Sequence, residues 1–399
     1  MTILVQGVIN NLSPLLFIIF SSELGLSFVQ LSLLITLNFT LQIAVDFLSS
    51  FISGRLGYRT CIVMANILAA TGLISIPLLV EIIPDSFSAL CISTVIMSFG
   101  SGLIEVFVSP IISALPEDNK SSTMNLLHSF YCWGQVAVVC ISTLYFTVIG
   151  IENWRFLPVL WSIIPIICAV MLSIVPIFRL EGDNTPSSRF KSLAKNASFW
   201  IMMVIMLCAG ASELGLSQWA SLYCEVGLGV SKTLGDLLGP CSFAIFMGCG
   251  RVLFSKFKPK RTEIWICISF FVCTISYLIT AFASKPALSL FGFALCGISV
   301  SLLWPGTYSM GNEKLPNGGS LVFALFAMMG DIGCSLGPDI IGVISEKAQE
   351  SKGFFNTLFT GSDIEIGMKS GILVASFIPL LGFIISLVYV FIIKGQKRR

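Results

Sequence analysis

The chain has 399 residues, of which 55% are hydrophobic and 11% charged, and its net charge is +2. A soluble domain carries about a quarter charged residues, so an ordinary globular protein is excluded; the net charge says nothing about partners, among which no nucleic acid is expected. A helix needs about 20 apolar residues to cross a bilayer, and twelve such stretches leave no room for a soluble enzyme domain.

The expected spans are 2–20, 28–50, 60–80, 87–112, 123–149, 155–178, 199–224, 232–256, 264–284, 287–311, 320–345 and 368–393. Between the sixth and the seventh lies a polar, basic segment containing Pro186. The chain therefore divides into an N-terminal six-helix bundle (1–179), a cytoplasmic linker (180–198) and a C-terminal six-helix bundle with a tail (199–399). The fold class expected is an all-α membrane protein of twelve helices in two pseudo-symmetric halves. Span one begins almost at Met1 without a cleavable signal, which leaves open a start further upstream.

Polar residues follow helical spacing. Gln6, Asn10 and Ser13 mark span one, and Asn38, Gln42 and Asp46 mark span two at i, i+4 and i+8. Ser98, Ser101, Gly102, Glu105 and Ser109 form a stripe on span four; His128, Trp133 and Gln135 belong to span five. Span seven has Gly210, Glu213, Ser217 and Ser221 with Gln218 and Trp219 beside them, span eight Asp236 and Arg251, and span ten Trp304 and Tyr308. Span eleven carries Asp331, Ser335 and Asp339. Spans three, six, nine and twelve have no ionisable residue away from their ends, so these four are expected to face lipid while the others surround a central cavity.

With the N-terminus placed in the cytoplasm, 16 of the 23 Lys and Arg residues lie on the cytoplasmic side, six on the other and Arg251 within a span. That bias predicts both termini cytoplasmic, and the multi-pass chain is expected in the plasma membrane. Thirteen scattered cysteines without metal or redox spacing read as buried small hydrophobes. The hexapeptide SELGLS occurs at 22–27 and 212–217 but puts Glu23 in an outer loop and Glu213 deep in a span, so it is coincidence. Loops at 113–123 and 309–320, offset by about 196, match better and support a six-plus-six repeat.

A carboxylate in hydrocarbon is costly and marks a pathway. Burial disfavours the charged form of a carboxyl, which suits such a group to take and release a proton. Glu105, His128 and Asp331 are the residues expected to couple protons. Gln6, Asn10, Asn38, Gln42, Glu105, Trp133, Gln135, Glu213, Gln218, Trp219, Trp304 and Tyr308 are those expected to meet a solute, because aromatic faces beside amides and carboxylates suit a polyhydroxylated ligand. Asp46, Arg55, Arg59, Arg251 and Asp339 are expected at gates, with Asp46 and Arg251 in ion pairs between the halves. The serine and glycine stripes also let helices pack closely.

The loop Gly54-Arg55-Leu56-Gly57-Tyr58-Arg59 resembles the signature of the major facilitator superfamily, with Gly54 standing where that signature carries an acid. The segments NNLSPLLF (10–17), NLLHSFYCWG (125–134), ASELGLSQW (211–219), GDLLGP (235–240), LLWPGTYS (302–309) and GDIGCSLGP (330–338) resemble its fucose-permease-like group of sugar–proton symporters. The resemblance implies an acidic residue in span four, which Glu105 matches, and one in span one, where this chain offers Gln6, Asn10 and Asn11. It implies a monomeric alternating-access transporter moving a small polar solute such as a sugar with protons, with no cofactor and no metal. The rival readings are a proton-coupled efflux antiporter and a non-transporting sensor on the same fold. The glycines of span eleven, with Pro338, resemble a motif that antiporters carry in span five.

Overall fold

The computed structural model describes residues 1–113, 120–177, 193–257, 261–315, 319–350 and 353–396; within these, the side chains of Asp46, Arg55 and His128 lie outside the described ones. Most of the linker expected at 180–198 is likewise outside. The described residues are almost wholly helical and contain no strand. Twelve helices are long and apolar enough to cross a membrane: spans one (Thr2–Ser22), two (Phe28–Val45), three (Gly57–Ile82), four (Ser86–Val108), five (Ser129–Ile149) and six (Phe156–Ile174), then seven (Ala197–Gly227), eight (Lys232–Phe254), nine (Thr262–Phe282), ten (Pro286–Gly311), eleven (Leu325–Glu350) and twelve (Asp363–Phe391). By spatial clustering the chain divides into two compact units, Met1–Glu181 with Ser231–Ile245, and Gly182–Val230 with Phe246–Arg399.

Local chemistry accounts for the helix ends and breaks. Ser27 caps span two: its hydroxyl accepts from the Gln30 N–H at 3.3 Å while the Gln30 amide oxygen accepts from the Ser27 N–H at 2.9 Å. Asp85 accepts from the hydroxyl and the backbone N–H of Ser88 at the start of span four, and those bonds hold its carboxyl below the ordinary range. Asn196 opens span seven by accepting from the Ser198 N–H at 2.9 Å. The helical backbone from Phe28 to Ile82 is interrupted at Gly57, with φ +75° and ψ 157°. Side chains disfavour that conformation, so this glycine of the GRLGYR segment supplies the turn between spans two and three.

Pro240 removes one backbone donor and crowds the carbonyl of Asp236 four residues earlier. The chain responds with a π turn at Leu237–Cys241 inside span eight. Pro14 accompanies the break at Leu16 in span one. Span twelve starts five residues before the expected position 368, because Ser362 caps it and Asp363 and Glu365 occupy its first turn, where the helix dipole favours negative charge. The outer loop expected at 346–367 is shortened from both sides, since span eleven runs on to Glu350 and a short helix covers Phe354–Leu358. None of the thirteen cysteines is in a disulfide, and ten of them are buried.

Without a hydrophobic force between helices in lipid, close packing of small residues brings the spans together. In the first unit, a Cβ on Gly134 of span five would press on Leu4 of span one, at 3.2 Å from its Cα, and one on Gly7 would meet the Tyr131 carbonyl at 3.1 Å. In the second, a Cβ on Gly210 of span seven would collide with the Gly330 carbonyl of span eleven, and Cβ atoms on Gly333 and Gly337 with the carbonyls of Leu207 and Ala211. Gly134 and Gly330 stand 196 residues apart, the spacing of the matched loops. The same helix pair in each unit thus closes on glycine. These contacts give the span-eleven glycines a packing role. Spans six and twelve expose long apolar faces, Leu160, Ile163, Ile167, Val170 and Ile174 on one and Phe377, Leu381, Ile384, Val388 and Phe391 on the other, as lipid contact requires.

Gly333→Val is expected to destabilise the protein by about 1–3 kcal/mol through overpacking, read as a lower unfolding midpoint in detergent; an unchanged midpoint would contradict the tight seat of span eleven on span seven.

Candidate functional site

In the first unit the polar stripes of spans one, two and four meet. Asn10 lies one turn after Gln6, and its side-chain oxygen accepts from Asn38 at 3.1 Å and from Gln42 at 3.3 Å. Ser98 donates to the Asn38 oxygen at 2.6 Å, and Ser101 to the Gln42 oxygen at 3.3 Å. Gln6 donates to Glu105 Oε2 at 2.7 Å. The three stripes therefore interlock, with Glu105 at the Gln6 end. Asn10, Asn38, Gln42, Ser98 and Ser101 are buried, whereas Glu105 is partly accessible.

This arrangement follows from what each group can exchange. Asn and Gln offer both donors and an acceptor, so amides bridge hydroxyls without charge, at little cost to a buried network. Among the described side chains of these stripes, Glu105 is the single carboxyl. Its partner Gln6 donates to the carboxylate, and after rotation of the amide it accepts from the protonated acid. The pair thus suits both protonation states of Glu105 without repacking.

In the second unit the charged centre is an ion pair. Arg251 of span eight reaches Glu213 of span seven, its Nη2 at 3.3 Å from both carboxylate oxygens. Arg251, expected at a gate, has its guanidinium on Glu213 of the same unit, and the side chain of Asp46 lies outside the described ones. The other copy of the hexapeptide behaves differently: Glu23 is accessible, accepting from the Trp154 indole at 2.9 Å and pairing with Arg155 at 3.0 Å.

The remaining expected residues are distributed more widely. Trp219 is fully buried, and its indole donates to the Pro338 carbonyl at 2.9 Å, tying span seven to span eleven. Gln135, Gln218 and Asp331 are buried, Asp339 is half-buried and Trp133 is largely accessible. Trp304 lies 6.3 Å from Tyr308, and a Cβ on Gly330 would collide with its ring. Arg59 donates to the carbonyls of Ser173 and Val175 at 2.6 and 3.0 Å, so it caps the C-terminus of span six. The site expectations for Asp46, Arg55 and His128 fall on side chains outside those described.

Sequence reasoning left a buried cluster at the start of span eight out of the functional set. Lys232 pairs with Asp236 at 3.2 Å and donates to the Leu15 carbonyl at 3.1 Å, and Thr143 of span five donates to Asp236 at 3.2 Å. Asp236 was visible as a carboxyl within span eight, but its pairing was signalled only by the i, i+4 spacing from Lys232, which also fits an exposed helix face. Removing one partner of a buried pair costs about 3–5 kcal/mol, whereas replacing both by apolar groups is often neutral. Asp236→Ala is accordingly expected to lower the unfolding midpoint far more than the double variant Lys232→Met with Asp236→Leu; equal losses would show that the pair contributes no coupled energy.

A family model described as Major Facilitator Superfamily matches residues 1–338. No curated protein sequence matches the chain. Among solved structures, the fucose:proton symporter of E. coli superposes with a TM-score of 0.65 at 16% identity, covering 97% of this chain and 96% of that one. A bacterial homologue of the human lysosomal transporter Spinster, inward-facing and unoccupied, gives 0.73 at 14% identity over 97% and 94%. A D-xylose–proton symporter gives 0.70 at 15% identity over 94% of each chain. At such identities these likenesses speak for the fold alone.

Proposed function

We propose that this chain, which belongs to the Major Facilitator Superfamily, is a secondary active transporter that takes up a sugar or a similar small polar nutrient together with protons by alternating access. The observation that carries the proposal is Glu105 of span four, which bonds to Gln6 of span one one turn from the amide and hydroxyl network that joins spans one, two and four. An ionisable carboxyl inside a membrane is costly and marks a pathway. Two of the structures that share the fold are described as sugar–proton symporters, which agrees with this reading. The positive-inside bias supports cytoplasmic termini in a plasma membrane.

In this mechanism Glu105 takes a proton from one side while solute engages the polar faces of the spans. The neutral acid with its Gln6 partner crosses between conformations at lower electrostatic cost than the anion does. Release of both on the other side resets the carrier. Proton and solute are coupled because each favours the conformations that the other favours.

In proteoliposomes with an inward proton gradient, Glu105→Gln is expected to lose accumulation of labelled hexose while retaining exchange of internal for external label. Full accumulation by that variant would remove Glu105 from the coupling role.

A further inference from the structure

The two units hold their polar groups in different ways. In the first, the amides and hydroxyls around Glu105 bond to one another. In the second, several buried donors have no hydrogen-bond partner among the described residues. Ser217 Oγ, one turn beyond Glu213 on span seven, is one, and the indole Nε1 of Trp304 is another. Ser217 is only 5% exposed. An indole nitrogen can only donate, and a buried donor left unmade costs about 1–3 kcal/mol.

A chain of contacts places these groups around one ion pair. Gly210 of span seven seats on Gly330 of span eleven, and Gly330 seats on the Trp304 ring. Gly250 of span eight seats on Ser301 of span ten, one turn before Trp304. Glu213 lies three residues beyond Gly210, Arg251 lies next to Gly250, and Ser217 follows Glu213 by four residues. Along span seven, the Trp304 level and Ser217 thus flank the ion pair by about 4–6 Å on either side, at 1.5 Å per residue. The pair itself is loose. Its 3.3 Å separations exceed the roughly 2.7–2.9 Å of a tight charge-assisted bond.

We propose, resting on the transporter reading above, that Arg251, Ser217 and Trp304 form a donor subsite for a carboxylate-bearing sugar, and that Glu213 gives up Arg251 to that carboxylate when it takes a proton. Ionised Glu213 neutralises Arg251, and an added carboxylate would then introduce an unbalanced buried charge. Protonation of Glu213 removes one negative charge from beside the guanidinium, and an incoming carboxylate restores it. The proton goes onto Glu213 and the sugar carboxylate replaces it on Arg251, so the local charge is conserved and the two enter together. A planar guanidinium matches a carboxylate with paired N–H donors, and the flanking donors suit the acceptor oxygens of a sugar ring.

The other ionisable groups on the spans packed against this part of span seven are Asp331 and Cys334 of span eleven, Cys296 and Tyr308 of span ten and Tyr277 of span nine. None of them is a cation. Lys369 of span twelve is paired with Glu365 at 2.7 Å.

The test compares D-galacturonate with D-galactose, which differ at the C6 carboxylate, by calorimetric titration of the purified full-length protein. Galacturonate is expected to bind at least about tenfold tighter than galactose at acidic pH, as a charge-assisted contact implies. Its binding is expected to weaken as pH rises in the wild type and to lose that pH dependence in Glu213→Gln. Arg251→Gln is expected to abolish the preference. Should that variant fold poorly because Glu213 is left alone, the double variant Glu213→Gln with Arg251→Gln carries no orphaned charge and is expected to show the same loss. Galactose binding as tightly as galacturonate, or a preference that survives in the double variant, would overturn the carboxylate subsite and leave sugar transport standing. Binding of neither sugar would overturn the subsite and the hexose reading together.

Discussion

A polar group of this chain that faces lipid must find its partner in the protein, since lipid supplies none. That constraint governs the helices, which satisfy their own backbone, and then the side chains, which cannot. It explains why the amides of spans one and two sit on the serines of span four, and why Arg251 is found on Glu213. It also explains why breaks in the helices coincide with Pro14 and Pro240, where the backbone lacks a donor, and with Gly57, where the turn needs a positive φ.

The two units meet the constraint with different chemistry. The first uses neutral amides and hydroxyls around a single carboxyl, so a proton changes the charge of the network while its partners can stay the same. The second uses a carboxylate and a guanidinium whose charges cancel only while they face each other. A neutral network tolerates protonation; an ion pair is broken by it. Both units are closed by glycine contacts between corresponding helices, so the scaffold repeats while the polar chemistry on it does not.

The twelve spans were legible because length and apolarity suffice to identify them, and the stripes of Asn38 and Gln42 or Ser98 and Glu105 were legible because helical spacing places them on one face. Which stripes meet was not legible. That depends on the rotation of each helix about its axis, which small residues such as Gly102 and Gly210 decide through contacts in space. Glu213 and Arg251 lie 38 residues apart on separate helices, and no local pattern joins them. The identical hexapeptides show the same limit: Glu23 and Glu213 share their neighbours in sequence, yet one caps an accessible cluster and the other a buried pair. Nor did the motif that holds Arg59 show that it bonds to the carbonyls of Ser173 and Val175 at the end of span six. The span-eight cluster was missed because i, i+4 spacing does not reveal which face is covered.

The central claim is that protons cross with the solute. Its most direct measurement is lumenal pH, recorded with a trapped dye in proteoliposomes while labelled galactose or galacturonate enters. The account predicts that solute entry acidifies the lumen and that a protonophore abolishes accumulation. Accumulation against a gradient at unchanged lumenal pH, indifferent to the protonophore, would contradict it.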